Sequence, residues 1–200
     1  MGVVPKMMKM ANVVPLFKTG DRSCTNNYRP VSLTPIIAKI FEKLINDKMI
    51  AHLNHQNVIH PAQHGFLKDH STNTNLIHFW NDVTKLADKK KEVSIVYTDL
   101  KKAFDSVPHD LLIYKLDNYG VRGRTLKWIE SFLTDRVQRV IVNDKTSHLA
   151  SIESGVPQGG VLSGILFDPN INDLPSCLNF MQISMYADDA KLFSPVDDKK

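Results

Sequence analysis

The spacing of the apolar residues changes near residue 93, and this change excludes an all-helical or an all-strand fold. Segments 36–53 and 71–86 carry apolar side chains at three- and four-residue intervals, the period of an amphipathic α-helix. The next segment, VSIVYTD at 93–99, is short and rich in β-branched and aromatic residues, which is typical of a strand. Further helices and two hairpins alternate after it, so the pattern predicts an α+β or α/β fold.

The two N-terminal helices are predicted to form a lobe of their own. Thr34 and Pro35 form a helix start, and Ser71 or Thr72 forms another. Their predicted buried stripes are Ile36, Ile37, Ile40, Phe41, Leu44, Ile45 and Leu53 in the first helix, and Leu76, Phe79, Trp80, Val83 and Leu86 in the second. Later helices are predicted at 108–120, 125–133 and 159–172, with one hairpin turning near Asn143 and Asp144 and another around 187–189.

The composition is that of one ordinary globular domain or two small lobes. Of the 200 residues, 42% are apolar and 23% are charged, which excludes a disordered tail. The two cysteines are far apart and encode neither a disulfide framework nor a zinc knuckle. The N-terminus lacks a signal-peptide core, and no apolar run reaches the roughly 18 residues of a membrane span. We therefore expect an intracellular protein without a membrane partner, in the nucleus or the cytoplasm.

Basic residues are concentrated in two parts of the chain, although the net charge is only +4. Residues 1–50 hold eight basic side chains against three acidic ones. The second basic segment contains Arg122, Arg124, Lys127, Arg136 and Arg139. Such runs are most often solvated faces, and they also suit a polyanionic partner.

Three aspartates stand where predicted strands end. Asp99 closes the strand at 93–99, and Asp188 with Asp189 occupies the turn of a predicted hairpin whose strands are apolar. An Asp-Asp pair at a turn is often only favourable turn chemistry. A cluster of carboxylates inside a fold is instead stable when a cation neutralises it, and Mg²⁺ prefers oxygen ligands. Two such ions would support a phosphoryl transfer.

The loop GVPQGG at 155–160 precedes an apolar helix. Its three glycines let the backbone approach a ligand closely, and the helix N-terminus behind it offers free N–H groups. It matches neither of the common phosphate-binding glycine motifs, so a rigid turn before a core helix explains it equally well. The histidines between His52 and His78 lack a carboxylate or cysteine at ligand spacing, and we predict no metal site there.

Six segments in order resemble the reverse transcriptase of non-LTR, LINE-type retrotransposons, close to the jockey and CR1-like elements. They are PLFKTGDRSCTNNYRPVSLTPIIAKIFEKLI, HPAQHGF, VYTDLKKAFDSVPHDLL, ESGVPQGGVLSGILF, NDLP and MYADDAKLF. The resemblance implies an α+β right-hand polymerase fold with an antiparallel palm sheet packed on helices. It implies fingers at 1–92 and palm at 93–200, with a helix and hairpin intervening at about 120–152, and no thumb in this chain.

The same resemblance implies an RNA-directed DNA polymerase with named site residues. Asp99, Asp188 and Asp189 match the catalytic aspartates that hold two Mg²⁺ ions, with Mn²⁺ as a possible substitute. Phe104 matches the aromatic gate under the incoming sugar, and Gln158 with the adjoining Gly159 matches the nucleotide-contacting loop. Lys18 and Arg29 resemble the fingers residues that hold the triphosphate. The implied partners are an RNA template, a DNA primer and deoxynucleoside triphosphates, bound with help from the second basic segment; no oligomeric state is implied.

The chain departs from the family pattern after the glycine loop. Gly164 replaces a proline, and Asp168 and Pro169 fall inside the predicted helix. A helix-interior proline costs about 3 kcal/mol or more, and we expect it to kink or shorten this helix. The open alternatives are therefore an active polymerase module, an inactive remnant that binds nucleic acid without turnover, and a structural domain with a fortuitous acidic turn.

Overall fold

The computed structural model describes residues 2–196, within which two β-sheets pack with five α-helices. The strands are β1 (Met10–Phe17), β2 (Tyr28–Leu33), β3 (Val93–Asp99), β4 (Arg136–Val142), β5 (Lys145–Thr146), β6 (Ala150–Ile152), β7 (Gln182–Tyr186) and β8 (Asp189–Pro195). The helices are α1 (Ile36–His55), α2 (Thr72–Asp88), α3 (His109–Asn118), α4 (Gly123–Leu133) and α5 (Ser163–Ile171).

The first sheet combines strands from distant parts of the chain. β1 and β2 form an antiparallel hairpin, and β1 also pairs in parallel with β4, which carries β5 and β6 as antiparallel partners. The turn between β4 and β5 lies at Asn143 and Asp144, as predicted, and both residues have positive φ angles. This sheet draws strands from both sides of residue 92, and the division into 1–92 and 93–200 stays a prediction. Residues 197–200 lie outside the described residues.

The second sheet is antiparallel, with the strand order β3-β8-β7. Helix α2 packs on it through Phe79 and Val83, which are buried against Phe193 of β8. A capping box starts this helix: the Ser71 hydroxyl accepts from the Thr74 backbone N–H, and the Thr74 hydroxyl accepts from the Ser71 backbone N–H. The predicted strands and the predicted antiparallel sheet on helices are thus confirmed.

The main core lies among α3, α4, α5 and the C-terminal half of α1. Its fully buried side chains include Leu53, Leu112, Leu116, Ile129, Phe132, Leu162 and Leu166. Burial of each such side chain stabilises the fold by roughly 1.5–3 kcal/mol relative to exposure. The helices predicted at 108–120 and 125–133 are confirmed, and Gly120, with φ +82°, follows the end of α3.

The predicted buried stripe of α1 is wrong for most of its residues. Helix α1 buries a different face, formed by Ala38, Glu42, Asn46, Met49 and Leu53. The predicted residues Ile36, Ile37, Ile40, Phe41 and Leu44 are exposed. Glu42 explains the choice of face, because one of its carboxylate oxygens accepts from the backbone N–H groups of Val161, at 2.6 Å, and Leu162, at 3.3 Å. A polar contact at the N-terminus of α5 therefore orients α1.

The second helix follows its predicted stripe only in part. Phe79 and Val83 are buried, whereas Leu76 and Trp80 are exposed and Asn75 is buried in their place. The predicted two-helix lobe is also wrong, because α1 packs on α5 while α2 packs on β7 and β3. Each helix supports a different part of the molecule.

Helix α5 continues past its proline. It begins at Ser163 and ends at Ile171, with Pro169 buried inside it, so Pro169 does not end the helix. Because proline has no N–H, the carbonyl of Ile165 lacks its usual helical partner. Among residues 2–196, no helix has both the length and the apolar character that a membrane crossing requires.

Candidate active site at the β7–β8 hairpin

The register of the second sheet brings Asp99 and Asp189 together. Asp99 at the end of β3 lies directly opposite Asp189 at the start of β8. Directly opposed residues of an antiparallel pair share one face, with Cβ atoms about 4.5–5.5 Å apart. Asp188 lies in the two-residue turn between β7 and β8, after Ala187, whose φ is +56°. Two chain segments separated by almost ninety residues thus place three aspartates at one sheet end.

The electrostatics of Asp188 reflect this proximity. Burial is the main factor that raises the pKa of its half-buried carboxyl group, and the negative charges of Asp189 and Asp99 raise it further. The Arg29 guanidinium acts in the opposite direction and lowers the same pKa. The charges of Asp99, Asp189 and Arg29 therefore all act on the Asp188 carboxyl group.

The chemistry of the donor set suits a hard divalent cation. Carboxylates placed close together repel one another until a cation neutralises them, and Mg²⁺ binds through one or two carboxylates plus water and phosphate oxygens. No ready-made arrangement of three acidic, histidine or cysteine ligands exists among residues 2–196. Asp99, Asp188 and Asp189 are the residues that could hold the ion, with substrate oxygens completing the ligand set.

The hairpin is held by buried amide side chains that the residue-by-residue sequence reasoning missed. Asn75 of α2 donates to the Ser184 hydroxyl at 2.8 Å and to the Met185 carbonyl at 3.0 Å, and it accepts from the Lys191 ammonium group at 2.6 Å. Gln63 contacts the turn itself. One signal in the sequence could have identified Asn75. It lies four residues before Phe79, on the face of α2 that packs on the sheet, where an apolar residue is usual.

Phe104 lies in a short aromatic stack. Its ring is half-buried and stacks on Phe167 of α5 with centroids 4.4 Å apart, and the Phe66 ring meets it edge-on at 5.9 Å. Gly164 makes room for this arrangement, because a Cβ atom there would lie 2.3 Å from the Phe66 ring. The stack holds the Phe104 ring from two sides. Its predicted role as a sugar gate stays a prediction.

The glycine loop is attached to both neighbouring segments. The side-chain amide of Gln158 donates to the Asp105 carboxylate at 2.8 Å. The backbone carbonyl of Gln158 accepts from the Ser32 backbone N–H, also at 2.8 Å. Gly159 has φ +108°, and a Cβ atom there would lie 3.0 Å from the Ser32 carbonyl oxygen. Close backbone approach therefore explains the glycine. The loop runs between β2 and the turn that carries Phe104, and its predicted contact with a nucleotide stays a prediction.

The two predicted triphosphate ligands lie on the hairpin of β1 and β2. Arg29 is exposed and opposes Leu16 in the register, and Lys18 follows two residues after Leu16. Lys18 lies one residue beyond the end of β1, where its backbone N–H donates to the Asn27 carbonyl at 2.8 Å. Of these two cations, Arg29 acts on Asp188, since its charge lowers the pKa of that carboxyl group.

The second basic segment divides into exposed and buried residues. Arg122, Arg124 and Lys127 are exposed at the start of α4, and Arg139 is half-buried and donates to Asn12 at 2.9 Å. Arg136 is only 1% exposed, packs over the Phe132 ring and interacts electrostatically with Glu42. The prediction that Arg136 contacts nucleic acid is therefore corrected: its guanidinium is buried and donates to the Phe132 carbonyl at 3.0 Å.

Sequence comparisons identify relatives of this arrangement. Residues 16–199 match the family model described as reverse transcriptase (RNA-dependent DNA polymerase). The chain is 31% identical to the probable RNA-directed DNA polymerase from transposon BS of Drosophila melanogaster, over 94% of this chain and 22% of that protein. It is 30% identical to the RNA-directed DNA polymerase from mobile element jockey of the same species, over 96% of this chain and 22% of that protein. The chain thus spans about a fifth of the length of these curated relatives.

Solved structures with the same fold include telomerases. The apo telomerase of Candida tropicalis, truncated from its C-terminal domain, superposes with a TM-score of 0.66 at 15% identity, over 98% of this chain and 45% of that one. The Candida albicans telomerase in complex with a telomeric RNA fragment superposes with a TM-score of 0.65 at 13% identity, over 98% of this chain and 39% of that one. These likenesses confirm the predicted fingers-and-palm fold. With a family model that covers most of the chain and jockey-like relatives along nearly all of it, the chain belongs to the reverse transcriptase (RNA-dependent DNA polymerase) family, a family of nucleotidyltransferases.

Proposed function

We propose that this chain carries the catalytic site that adds deoxynucleotides to a DNA primer 3′-hydroxyl on an RNA template. The observation that carries the proposal is the register of the second sheet, in which Asp99 opposes Asp189 while Asp188 occupies the adjoining turn. Carboxylates gathered at one sheet end, with an arginine acting on them from the first sheet, are the groups that a phosphoryl transfer requires.

In this proposal the aspartates hold two Mg²⁺ ions, for which Mn²⁺ can substitute. When bound, the ions lower the pKa of the primer hydroxyl and stabilise charge on the leaving pyrophosphate. The protein's own contribution is to hold Asp99, Asp188 and Asp189 together at the sheet end, where they would hold the ions. Arg29 of β2 and Lys18, which directly follows β1, bind the triphosphate of the incoming nucleotide in this proposal.

Phe104 and the glycine loop select and orient the nucleotide in this proposal. A ring held between Phe66 and Phe167 resists displacement, which suits a residue that excludes a ribose 2′-hydroxyl by its volume. Gln158 and Gly159 adjoin the same turn through the hydrogen bond to Asp105 and contact the nucleotide base and sugar. Relatives that are RNA-directed DNA polymerases support the choice of an RNA template and deoxynucleotides.

Arg122, Arg124, Lys127 and Arg139 bind the phosphates of the template and primer in this proposal. The first three are exposed near the start of α4, where long cationic side chains can follow a nucleic-acid backbone. Contacts to phosphates release counterions, so binding should weaken steeply as salt rises and depend little on sequence. Arg136 is left out of this surface because it is buried.

Single-nucleotide addition to a DNA primer on an RNA template tests the proposal directly. We expect addition by the wild-type chain that requires Mg²⁺ or Mn²⁺ and stops with a chelator. Asp188→Asn should lower the rate at least about 10²-fold, since it removes a carboxylate that would hold the charge-stabilising metal ion. Asp82→Asn is the matched control, because Asp82 is an exposed residue of α2 paired with Lys85, and it should leave the rate within about twofold.

Two results would contradict the proposal. Equal rates for wild type and Asp188→Asn would show that this carboxylate is not catalytic. Salt-sensitive binding of primer-template without any metal-dependent addition would instead identify a chain that retains only nucleic-acid binding.

A further inference from the structure

A short segment between α1 and α2 extends the sheet alongside the candidate active site. Gln63 forms an isolated parallel bridge with Met185 of β7. The Met185 backbone N–H donates to the Ala62 carbonyl at 2.8 Å, and the His64 backbone N–H donates to the Met185 carbonyl at 2.9 Å. The segment 62–65 therefore lies directly beside the strand that leads into the aspartate turn.

The side chain of Gln63 binds that turn from the buried side. Its carbonyl oxygen accepts from the Ala187 backbone N–H at 2.9 Å and from the Gly65 backbone N–H at 2.7 Å. Its amide nitrogen donates to the Ala187 carbonyl at 3.3 Å. Gln63 is only 2% exposed, so these bonds lie out of contact with water. Both backbone polar groups of Ala187 are thus held by one side chain.

Gly65 brings the same segment into direct contact with the turn. A Cβ atom on Gly65 would lie 2.4 Å from the Ala187 nitrogen and 2.9 Å from its Cα. These are backbone atoms, which cannot move aside without displacing the turn. Ala187 itself has φ +56°, a conformation that is unfavourable for a residue with a Cβ atom and persists where its surroundings enforce it.

We propose that Gln63 is a positioning residue that fixes the turn carrying Asp188, so that its carboxylate faces Asp99 and Asp189 when metal and nucleotide bind. The proposal rests on the function proposed above. Gln63 itself touches no substrate; it acts on the residue immediately before Asp188. Outer-layer groups that orient metal ligands typically change metal affinity or activity by 10–100-fold when removed.

Two variants and one control separate this role from general stability. Gln63→Met keeps the approximate volume and removes all three hydrogen bonds, whereas Gly65→Ala keeps them and pushes on the turn. Gln182→Met is the matched control, because Gln182 is exposed at the far end of the same hairpin. Three quantities are measured: hydrogen exchange of the Ala187 amide, Mn²⁺ affinity by titration calorimetry, and kcat and KM for single-nucleotide addition.

The wild-type chain should protect the Ala187 amide strongly relative to that of Phe180, which is 91% exposed. Both Gln63→Met and Gly65→Ala should weaken Mn²⁺ binding and lower kcat by roughly 10–100-fold while nucleotide KM changes less. Gln63→Met should also speed exchange of the Ala187 amide at least about tenfold. Gln182→Met should leave all three quantities within about twofold.

An unprotected Ala187 amide in the wild-type chain overturns the proposal without any substitution, even where a variant fails to fold. If Gln63→Met and Gly65→Ala both fold and both keep the wild-type Mn²⁺ affinity and kcat, the positioning role is overturned, whereas the proposed function is not. A wild-type chain that neither binds Mn²⁺ at the aspartates nor adds nucleotides would overturn the proposed function instead.

Discussion

The hairpin of β7 and β8 and the helix α5 differ in how their buried polar groups are satisfied. Around the hairpin, the side chains of Gln63 and Asn75 pair with backbone and side-chain groups of the strands and the turn. Around α5, both carboxyl oxygens of Asp168 lack a hydrogen-bond partner, as does one oxygen of Glu42. The hairpin is thus pre-organised by satisfied contacts, whereas α5 carries unsatisfied polar atoms and an interior proline.

This difference separates two properties of the molecule. The aspartate turn needs a defined geometry, and fully paired polar groups in a low-dielectric interior supply it. Helix α5 supports Phe104 through the ring of Phe167, and its position depends on Glu42 at its N-terminus. Stability should therefore be most sensitive near α5, and the geometry of the candidate site most sensitive near the hairpin.

The largest stability effect is expected at Glu42. Glu42→Ala removes the carboxylate oxygen that accepts from the backbone N–H groups of Val161 and Leu162. Leaving a buried polar group without its partner typically costs about 1–3 kcal/mol for each group, and two groups are affected here. Urea unfolding measures it, with Glu130→Ala on exposed α4 surface as a control that should stay within about 0.5 kcal/mol. Equal effects for both variants would show that α1 is not oriented by this contact.

Asp168 should make stability fall as pH rises. Burial raises the pKa of its carboxyl group from 3.8 to about 8. Below pH 4 both the folded and the unfolded states are protonated, and between pH 4 and 8 the folded state retains a proton that the unfolded state loses. The free energy of unfolding contributed by Asp168 therefore decreases through this window and is fully lost above pH 8, a change of roughly 3 kcal/mol from pH 5 to 8.

Asp168→Asn tests this expectation because asparagine does not titrate. The free energy of unfolding should depend less on pH between 5 and 8 in this variant than in the wild type. Asp173→Asn is the control: the pKa of Asp173 is lowered, chiefly by its hydrogen bond to Lys115, so its loss should not remove the downward slope. An unchanged slope in Asp168→Asn would mean that Asp168 is solvated.

Near the β7–β8 hairpin, Asn75→Ala should lower the free energy of unfolding by about 1–3 kcal/mol. It leaves the Met185 carbonyl and the Ser184 hydroxyl without this partner and deprives Lys191 of its contact. Thermal unfolding measures the loss, and Asn81→Ala, on the exposed side of the same helix, is the control. A larger cost than that of Glu42→Ala would reverse the contrast between hairpin and α5.

The smallest effect is expected at the start of α2. Ser71→Ala removes the cap on the Thr74 backbone N–H, which typically costs about 1 kcal/mol. Asn73→Ala, exposed in the same first turn, should change stability by less than 0.5 kcal/mol or so. An effect of Ser71→Ala as small as that of the control would show that packing on β7 and β3 alone sets the helix start.

The sequence predicted elements well where the local pattern and the tertiary contacts agree. The strand VSIVYTD, the capped start of α2 and the turn at Asn143 follow from local chemistry and were all confirmed. The buried face of α1 could not be predicted this way, because Glu42 selects it by bonding Val161, 119 residues away. The helical period of a sequence shows which face of a helix is apolar. It does not show that a polar group elsewhere in the chain will bind a different face.

The candidate site shows the same limit. The aspartates were found because they stand at strand ends in segments that resemble a known family. The contact between Gln63 and Ala187 was not predicted, because the two residues are 124 positions apart and a single glutamine in a loop carries no local signal. Arg136 was misassigned to a surface because a run of basic residues does not reveal which one is buried.

The central claim, that Asp99 and the Asp188–Asp189 turn form one metal-holding site, is tested most directly by a crystal structure of the chain soaked in Mn²⁺. Anomalous scattering locates the ion independently of activity. The account predicts a peak bonded to carboxylate oxygens of both Asp99 and Asp188, and its loss in Asp188→Asn. A peak at other residues, or none at the aspartates when Mn²⁺ is saturating, would contradict it.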